Sequence, residues 1–411
     1  MKQLSRTQTL ELLIAFTFGI SIFLWKPGMY VSSGMVLLYA IIRLSTDSVY
    51  RARLFSGWIG TASLILFILG ILACWIYPGT LTDTLYYARK CMFLLLFAPL
   101  LLLFENPQNR RSGLFGLILG LWIAALLTAK AGGWQWEGSR IAGSWSVDVM
   151  GVMTGFVCVF MLPFIFQAQT LKHKIFWALC WFAAFVMLIL TLARGPWLAT
   201  GLLTLGFLLV YQRKVLLLLV VIGLIAVWPA KHFAPKMFNH MQTRIVSIAD
   251  SQHNDSNKIR LTLWELGGAH LQHKYTHDPV TFWFGSGPAH HIKDLMPFFE
   301  DTKNFSEEKK EYLTQHAYPG NDLHNTYIDT TSKMGIIWTT LAFAFLISIA
   351  CSLLRNRQAG DLHAIGGFLV FLNFLIVGVF YDLILSFAPL FMVYLMTLSA
   401  QMGKKSVTEV A

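Results

Sequence analysis

The chain has 411 residues, of which 56% are hydrophobic and only 13% are charged, whereas about a quarter of the residues are charged in an ordinary soluble protein. This composition excludes a soluble globular fold, because no single core could hide so much apolar surface from water. The formal net charge of +11 would suggest a nucleic-acid partner in a soluble protein, but no basic, aromatic-interleaved soluble domain is present, so we expect no nucleic-acid binding.

The first predicted element is an apolar stretch at residues 10–25. Its length would also suit a signal peptide, but no small-residue A-x-A cleavage site follows it. The sequence Trp-Lys-Pro-Gly at residues 25–28 is typical of a hairpin into a second apolar run. We therefore expect residues 10–25 to remain as a membrane helix.

About twelve apolar runs follow one another along the chain, each near the roughly 17–25 residues that a helix needs to cross a bilayer. They cover residues 9–25, 28–43, 55–77, 83–104, 113–130, 147–168, 174–193, 196–212, 215–230, 328–354, 364–382 and 384–402. The sequence thus predicts an all-α polytopic membrane protein of about twelve transmembrane helices.

Lys and Arg are distributed unevenly between the two sides of the predicted membrane. With a cytoplasmic N-terminus, most of those in short loops are cytoplasmic, for example Arg51, Arg53 and Lys172, as the positive-inside rule requires. Both termini are then cytoplasmic, and the large loop between spans nine and ten is periplasmic. The predicted divisions are a nine-span region 1–230, a periplasmic loop domain 231–325 and a three-span region 326–411.

Arg194 is the most conspicuous basic residue on the predicted outer side. It stands in Thr-Leu-Ala-Arg-Gly-Pro-Trp, where the seventh span turns directly into the eighth. A charge at such depth is expensive and usually functional, although an arginine that snorkels to the interface has the same sequence signature.

The loop 231–325 contains three motifs. Arg260 and Trp264, four residues apart, share one face of a predicted helix. Residues 284–288, Phe-Gly-Ser-Gly-Pro, predict a glycine-rich turn, and the charged stretch 300–311 predicts an exposed helix or a mobile loop. The loop ends in Asp-Leu-His-Asn-Thr-Tyr-Ile, which carries His324 to the mouth of the next span.

Ten of the twelve histidines lie in this loop. His270, His273 and His277 share a helical face, which is one feature of a zinc site. Neither an H-E-x-x-H motif nor paired cysteines accompany them. We therefore expect solvated surface histidines and no bound metal.

The order of these motifs resembles the O-antigen ligase and polymerase superfamily. An Arg that ends one span, an Arg-x-x-x-Trp helix in a long periplasmic loop, a Phe-Gly-x-Gly turn and His-Asn-x-Tyr at the next span follow one another. The resemblance covers most of the chain and implies a membrane glycosyltransferase of the GT-C kind in the inner membrane of a Gram-negative bacterium. Chain length and the position of the dominant loop favour the ligase branch.

Members of that superfamily transfer a glycan from undecaprenyl diphosphate, with inversion, to a sugar hydroxyl, which in a ligase belongs to lipid A–core. The resemblance implies no cofactor. It makes Arg194 and Arg260 the groups that bind the departing diphosphate, and His324 the general base. The alternative for His324 is a helix-capping or interfacial histidine.

Seven further residues are expected to contact substrate: Arg89, Lys90, Arg140, Trp264, Asn325, Tyr327 and Asp382. The three basic residues suit either the diphosphate or lipid headgroups. Asp382 is expected to orient His324 or to pair with an arginine.

Two other functions compete with the ligase interpretation. An O-antigen polymerase of the same superfamily uses the same donor but joins one lipid-linked glycan to another. A transporter or flippase would bind an anionic lipid through the outer arginines without forming a bond. In transporters of the major facilitator kind the long connection lies at the midpoint of the chain, whereas here it lies about three-quarters of the way along.

Overall fold

A computed structural model describes residues 5–76, 80–132, 139–141, 143, 145–233, 235–249, 254–301, 305–316, 322–355 and 361–402. These residues are mainly helical, and no β-strand occurs among them. The tail 403–411, predicted to be cytoplasmic, lies outside the described residues, as do residues 302–304 of the charged stretch.

Eleven helices are described before the polar loop. They are α1 (Arg6–Leu24), α2 (Lys26–Thr46), α3 (Ser48–Ser56), α4 (Trp58–Ile76), α5 (Leu81–Cys91), α6 (Phe93–Leu103), α7 (Pro107–Gly132), α8 (Val147–Gln167), α9 (Leu171–Leu190), α10 (Arg194–Tyr211) and α11 (Arg213–Phe233).

Eight more helices are described in the loop and the remaining chain. They are α12 (Pro235–Ala249), α13 (Asp255–His277), α14 (Pro279–Phe284), α15 (His291–Glu300), α16 (Glu307–His316), α17 (Thr326–Arg355), α18 (His363–Gly378) and α19 (Ala388–Met402).

Nine segments among the described residues are long and apolar enough to cross a bilayer: α1, α2, α4, α5 with α6, α7, α8, α9, α11 and α17. The helix α10 and the shorter apolar helices α18 and α19 all pack against α8. The expectation of a polytopic, all-helical membrane protein is confirmed at this level.

The helix α1, which covers residues 10–24 of the predicted membrane segment 10–25, packs along α7. A Cβ added at Gly116 would lie 2.3 Å from the carbonyl oxygen of Phe16, and one at Gly120 would lie 2.7 Å from that of Ile20. Small residues allow such close backbone approach, which holds helices together where lipid removes the hydrophobic drive between them.

The helix α8 lies at the centre of the bundle, between α9, α10, α18 and α19. Its small residues again set the spacing. A Cβ at Gly151 would meet the Ala193 side chain at 2.8 Å, and one at Gly155 would meet Thr200 Oγ1 at 2.7 Å. These contacts place the start of α10, and therefore Arg194, against α8.

The loop helices have a small apolar core of their own, separate from the core of the bundle. It consists of buried side chains from α13, α15, α16 and the segments beside them: Leu263, Leu266, Leu295, Phe298, Phe299, Phe305, Leu313 and Leu323. Because Leu323 belongs to this core, the residue before His324 is packed into the loop domain as well as joined to α17.

The glycine-rich turn packs against a break in α17. Gly335 interrupts the helix with φ 78° and ψ 163°, a region that is essentially restricted to glycine. A Cβ on Gly335 would lie 2.3 Å from the Trp283 carbonyl oxygen, and one on Gly285 (φ 88°) would lie 2.4 Å from that of Lys333. These positions require glycine, and they fix the turn on α17.

The last two predicted spans differ from the observed helices. Residues 379–387 separate α18 from α19, where the prediction placed only a single residue between spans 364–382 and 384–402. The side chain of Thr326 accepts hydrogen bonds from the backbone N–H groups of Leu383 and Ile384, both at 3.0 Å. This side-chain acceptor lets the non-helical backbone be buried, which hydropathy along the chain does not reveal.

Candidate active site

Three parts of the chain converge around residues 379–387. The start of α10 supplies Arg194, the helix α13 supplies Arg260 and Trp264, and the segment before α17 supplies His324. The structure therefore groups the residues that the sequence predicts to be catalytic, although they are up to 130 positions apart in the chain.

Arg194 is 8% exposed and is bonded to the loop domain. Its Nη1 donates to the carbonyl oxygen of Ser247, to Ser247 Oγ and to Asn254 Oδ1, each at 3.0 Å. Asn254 is also the N-cap of α13. The guanidinium group thus links the membrane bundle to the helix that carries Arg260 instead of extending outward.

Arg260 and Trp264 lie one turn apart on α13 and both face residues 379–387. The Arg260 guanidinium carbon is 5.4 Å from the centre of the Tyr381 ring, within cation–π range. The Trp264 ring packs against Phe380 with 6.4 Å between centres, and Trp264 Nε1 donates to the His324 carbonyl oxygen at 3.1 Å. The predicted Arg-x-x-x-Trp helix face is confirmed by these shared neighbours.

His324 adopts a left-handed backbone conformation with φ 50°, and its side chain is 40% exposed. Its Nδ1 lies 3.2 Å from Asp322 Oδ1, which also accepts from the His324 backbone N–H at 3.2 Å. If Nδ1 carries the proton shared with Asp322, the other ring nitrogen, Nε2, is left to accept a proton.

Asn325 and Tyr327 form the structural frame of this turn. Asn325 Oδ1 accepts from the backbone N–H of Tyr327 at 3.0 Å and of Ile328 at 3.2 Å, as an N-cap does. The Tyr327 hydroxyl donates to the Leu375 carbonyl oxygen of α18 at 2.8 Å. Both side chains have protein partners that hold the start of α17.

A cluster of arginines surrounds Arg194. Arg140, Arg244 and Arg260 all contribute positive potential at its guanidinium group. Arg140 also donates to the Thr191 carbonyl oxygen at 3.1 Å and pairs with Asp148 at 2.8 Å. Among the described residues, Asp148 is the carboxylate that pairs within this cluster of four guanidinium groups, so positive charge is in excess there, which suits an anionic ligand.

Lys90 approaches residues 379–387 from α5, and Arg89 precedes it on the same helix. Lys90 Nζ lies 4.8 Å from the centre of the Phe387 ring, and Lys26 Nζ lies 4.5 Å from the same ring. The Arg89 guanidinium carbon is 5.4 Å from the centre of the Tyr86 ring. These cations form a second basic group at the same segment.

Asp382 does not have the partner that the sequence suggests. Its Oδ2 lies 3.6 Å from Lys333 Nζ, and Lys333 is in turn 2.5 Å from Asp329. A buried ammonium group needs nearby carboxylates, and Lys333 is 3% exposed. The expected pairing of Asp382 with His324 or an arginine is therefore replaced by one with Lys333.

A buried polar cluster fastens the loop to α17. Lys274 Nζ lies 2.5 Å from Asp294 Oδ2 and donates to the Ser332 carbonyl oxygen at 3.1 Å. Burial lowers the pKa of His270 and, more strongly, of His291, whose Nδ1 lies 3.3 Å from Ser332 Oγ. Although burial by itself raises the pKa of Asp294, the hydrogen bond from His270 and the Lys274 ammonium lower it below its ordinary value.

The three histidines that share a helical face have different surroundings. His270 lies 3.6 Å from Asp294, whereas His273 and His277 stack on each other at 4.4 Å between ring centres. Within the described ranges no group of three His, Cys, Asp or Glu side chains is arranged to hold a metal ion. The expectation of solvated histidines is wrong for His270 and His291, which are buried.

Sequence reasoning missed the buried acids that support this site. Asp83 on α5 accepts from the backbone N–H groups of Ala289 at 2.7 Å and His290 at 3.2 Å, and it also contacts the His290 ring. Asp329 and Lys333 pair inside α17. Acidic or basic residues within apolar runs are costly, so their presence in the predicted spans was the available signal.

The sequence model of the O-antigen ligase family matches residues 178–343. The matched region begins in α9 and ends in α17, so it contains Arg194, Arg260, Trp264 and His324. This match, over 166 of the 411 residues, supports membership of the O-antigen ligase superfamily. No curated protein matches the chain. Members of this superfamily are glycosyltransferase-like ligases and polymerases.

Proposed function

We propose that the protein is a lipopolysaccharide O-antigen ligase, which transfers a glycan from undecaprenyl diphosphate to a sugar hydroxyl of lipid A–core with inversion at the anomeric carbon. The observation that carries the proposal is a half-exposed histidine whose carbonyl oxygen accepts from Trp264, one helical turn from Arg260 in a cluster of four arginines. This arrangement pairs a proton acceptor with a site for a polyanionic leaving group.

The arginines act on the donor. Guanidinium groups make paired, charge-assisted hydrogen bonds to phosphate oxygens, so Arg194 and Arg260 stabilise the diphosphate as negative charge develops on it. Arg140, Lys90 and Arg89 add positive potential from the other sides of residues 379–387. Since Arg194 is already bonded to Ser247 and Asn254, its guanidinium group is held in place before the donor arrives.

His324 acts on the acceptor. An imidazole is suited to remove a hydroxyl proton near neutral pH. In the proposed step, Nε2 takes that proton and the hydroxyl oxygen bonds to the anomeric carbon. The bond from that carbon to the diphosphate oxygen breaks on the opposite face, and undecaprenyl diphosphate leaves. The proposed reaction uses neither a nucleotide nor a metal ion.

The proposal includes a membrane arrangement of the GT-C kind. The nine long segments together with α10, α18 and α19 make twelve spans, with both termini in the cytoplasm. Residues 231–325 then cover the periplasmic face of a Gram-negative inner membrane. Trp264, Asn325, Tyr327 and Asp382 line or support the substrate site from that side.

A transfer assay with purified protein tests this function. Wild-type protein given lipid-linked glycan and lipid A–core, without ATP and with a chelator, is expected to form the glycosidic product. His324→Ala should lower the rate at least about 100-fold, because general-base catalysis contributes roughly that much or more. The control is His316→Ala, which removes an exposed histidine of α16. Normal transfer by His324→Ala would contradict the base assignment, and no transfer by the wild type would contradict the function.

The acceptor separates a ligase from a polymerase, since the family match applies equally to both. In the same assay, a ligase extends lipid A–core, whereas a polymerase extends a second lipid-linked glycan. In cells, deletion is expected to accumulate lipid-linked polymer and leave bare core. Core capped with a single unit would instead identify a polymerase.

A further inference from the structure

The start of α17 holds a buried ion pair that the proposed chemistry does not use. Asp329 is 0% exposed and Lys333 is 3% exposed, and Lys333 Nζ lies 2.5 Å from Asp329 Oδ2. The two residues are four apart and therefore share a helix face. Burying two charges costs so much desolvation that the pair itself is weak evidence of a stabilising role.

The other oxygen of Asp329 bonds to the chain beside His324. Asp329 Oδ1 accepts from the backbone N–H of Leu323 at 3.0 Å. Leu323 is 1% exposed and packs in the loop core, so this N–H is removed from water and needs an acceptor within the protein. Asp329 provides that acceptor from the first turn of α17.

The backbone of His324 is held on both sides. A φ of 50° is uncommon for any residue other than glycine, so the conformation persists only where neighbouring bonds enforce it. On one side Asp329 fixes the N–H of Leu323. On the other, Trp264 Nε1 donates to the His324 carbonyl oxygen and Asn325 caps the helix.

We infer that Asp329, held by Lys333, is a positioning residue that keeps His324 in its left-handed conformation and so directs the imidazole at the acceptor hydroxyl. The inference rests on the proposed function, because it concerns the geometry of the general base. Lys333 also lies 3.6 Å from Asp382, which connects that residue to His324 indirectly.

A matched pair of double variants separates the acceptor atom from the buried charge. Asp329→Asn with Lys333→Met removes both charges but retains an oxygen that can accept from Leu323. Asp329→Leu with Lys333→Met removes the same charges and also the acceptor, at a similar side-chain volume. The two proteins therefore differ in the hydrogen bond to the Leu323 N–H.

Both variants remove Lys333 from Asp382, so the two are compared with each other: we expect the Leu variant to have a kcat about 10- to 100-fold lower than that of the Asn variant, since a shift of about 1 Å in a reacting group has that order of effect. The KM for the lipid-linked donor should change little. The number of undecaprenyl diphosphate binding sites per protein molecule should be the same in both variants. A misfolded fraction would lower that number.

The outcomes are distinguishable. No transfer by the wild type would overturn the proposed function, whereas an active wild type, an inactive His324→Ala and equal rates in the two double variants would overturn only this inference. If either double variant fails to insert, an ester bond in place of the Leu323 amide removes the N–H without touching a buried charge. Loss of kcat in that protein supports the inference, and unchanged transfer overturns it.

Discussion

Arg194 and Arg260 carry the same charge but have different protein partners. Arg194 makes three hydrogen bonds at 3.0 Å, whereas Arg260 lies over the Tyr381 ring. Arg260→Gln is therefore expected to lower transfer at least about 10-fold without changing thermal stability. Arg194→Gln should lower transfer and also cost about 2 kcal/mol of stability, because hydrogen bonds to a charged group are lost.

The transfer assay and thermal unfolding of the purified variants measure these two effects. Lys258→Gln is the matched control, since Lys258 lies on α13 close to Arg260 but is exposed and faces Tyr312. It should leave both quantities unchanged. Equal stability of the Arg194 and Arg260 variants would contradict the structural role given to Arg194.

The attachment of α13 and α15 to α17 is expected to depend on pH. His270 and His291 have lowered pKa values in the folded protein because they are buried, whereas an unfolded histidine has a pKa of about 6.5. Below about pH 6.5 the unfolded chain binds protons that the folded chain does not, so stability falls as pH decreases. The stability contributed by the two neutral, buried histidines is fully present above about pH 6.5. The slope should reach about 1.4 kcal/mol per pH unit for each histidine.

Thermal unfolding followed between about pH 7.5 and about pH 5.5 tests this dependence. The carboxyl of Asp294 stays ionised there, because its pKa is lowered, so Lys274 keeps its partner. His291→Asn retains a donor or acceptor for Ser332 but does not titrate, and it should flatten the dependence. His316→Asn on the exposed face of α16 should not. Identical pH profiles for the two variants would refute the assignment to His291.

The orientation of the whole molecule is testable by cysteine labelling. Four of the native cysteines are buried and Cys351 is exposed, so a Cys351→Ser background is suitable. Gln272→Cys, exposed on α13, is expected to react with an impermeant maleimide added to cells whose outer membrane has been made permeable. Lys172→Cys, exposed at the start of α9, should react only after the inner membrane is opened. The reverse pattern would invert the proposed topology.

Hydropathy predicts the helices of this protein, and the order of the motifs predicts its superfamily. The apolar runs correspond to helices, and Arg260 and Trp264 share neighbours as the helical spacing predicts. These features are local, because span length and the i, i+4 relation depend on a few consecutive residues. The motif order also indicated the superfamily that the match to residues 178–343 supports.

Side-chain partners across the fold were not predictable in the same way. Asp382 pairs with Lys333, and the span expected to continue to residue 382 ends at Gly378 because Thr326 satisfies the backbone beyond it. The buried positions of His270 and His291 likewise depend on how α13 and α15 pack against α17. Each of these contacts joins residues that are distant in the chain.

The sequence by itself determined that the protein lies in a lipid bilayer and that it is helical, because composition and short-range periodicity are properties of the chain. It also determined which residue types are available for phosphate binding and proton transfer. Only the tertiary structure decided that Arg194 is bonded into the loop domain, that His324 has a left-handed backbone and that Asp329 reaches the residue before it. These are consequences of packing and of satisfying buried polar groups, which act between elements and leave no local pattern.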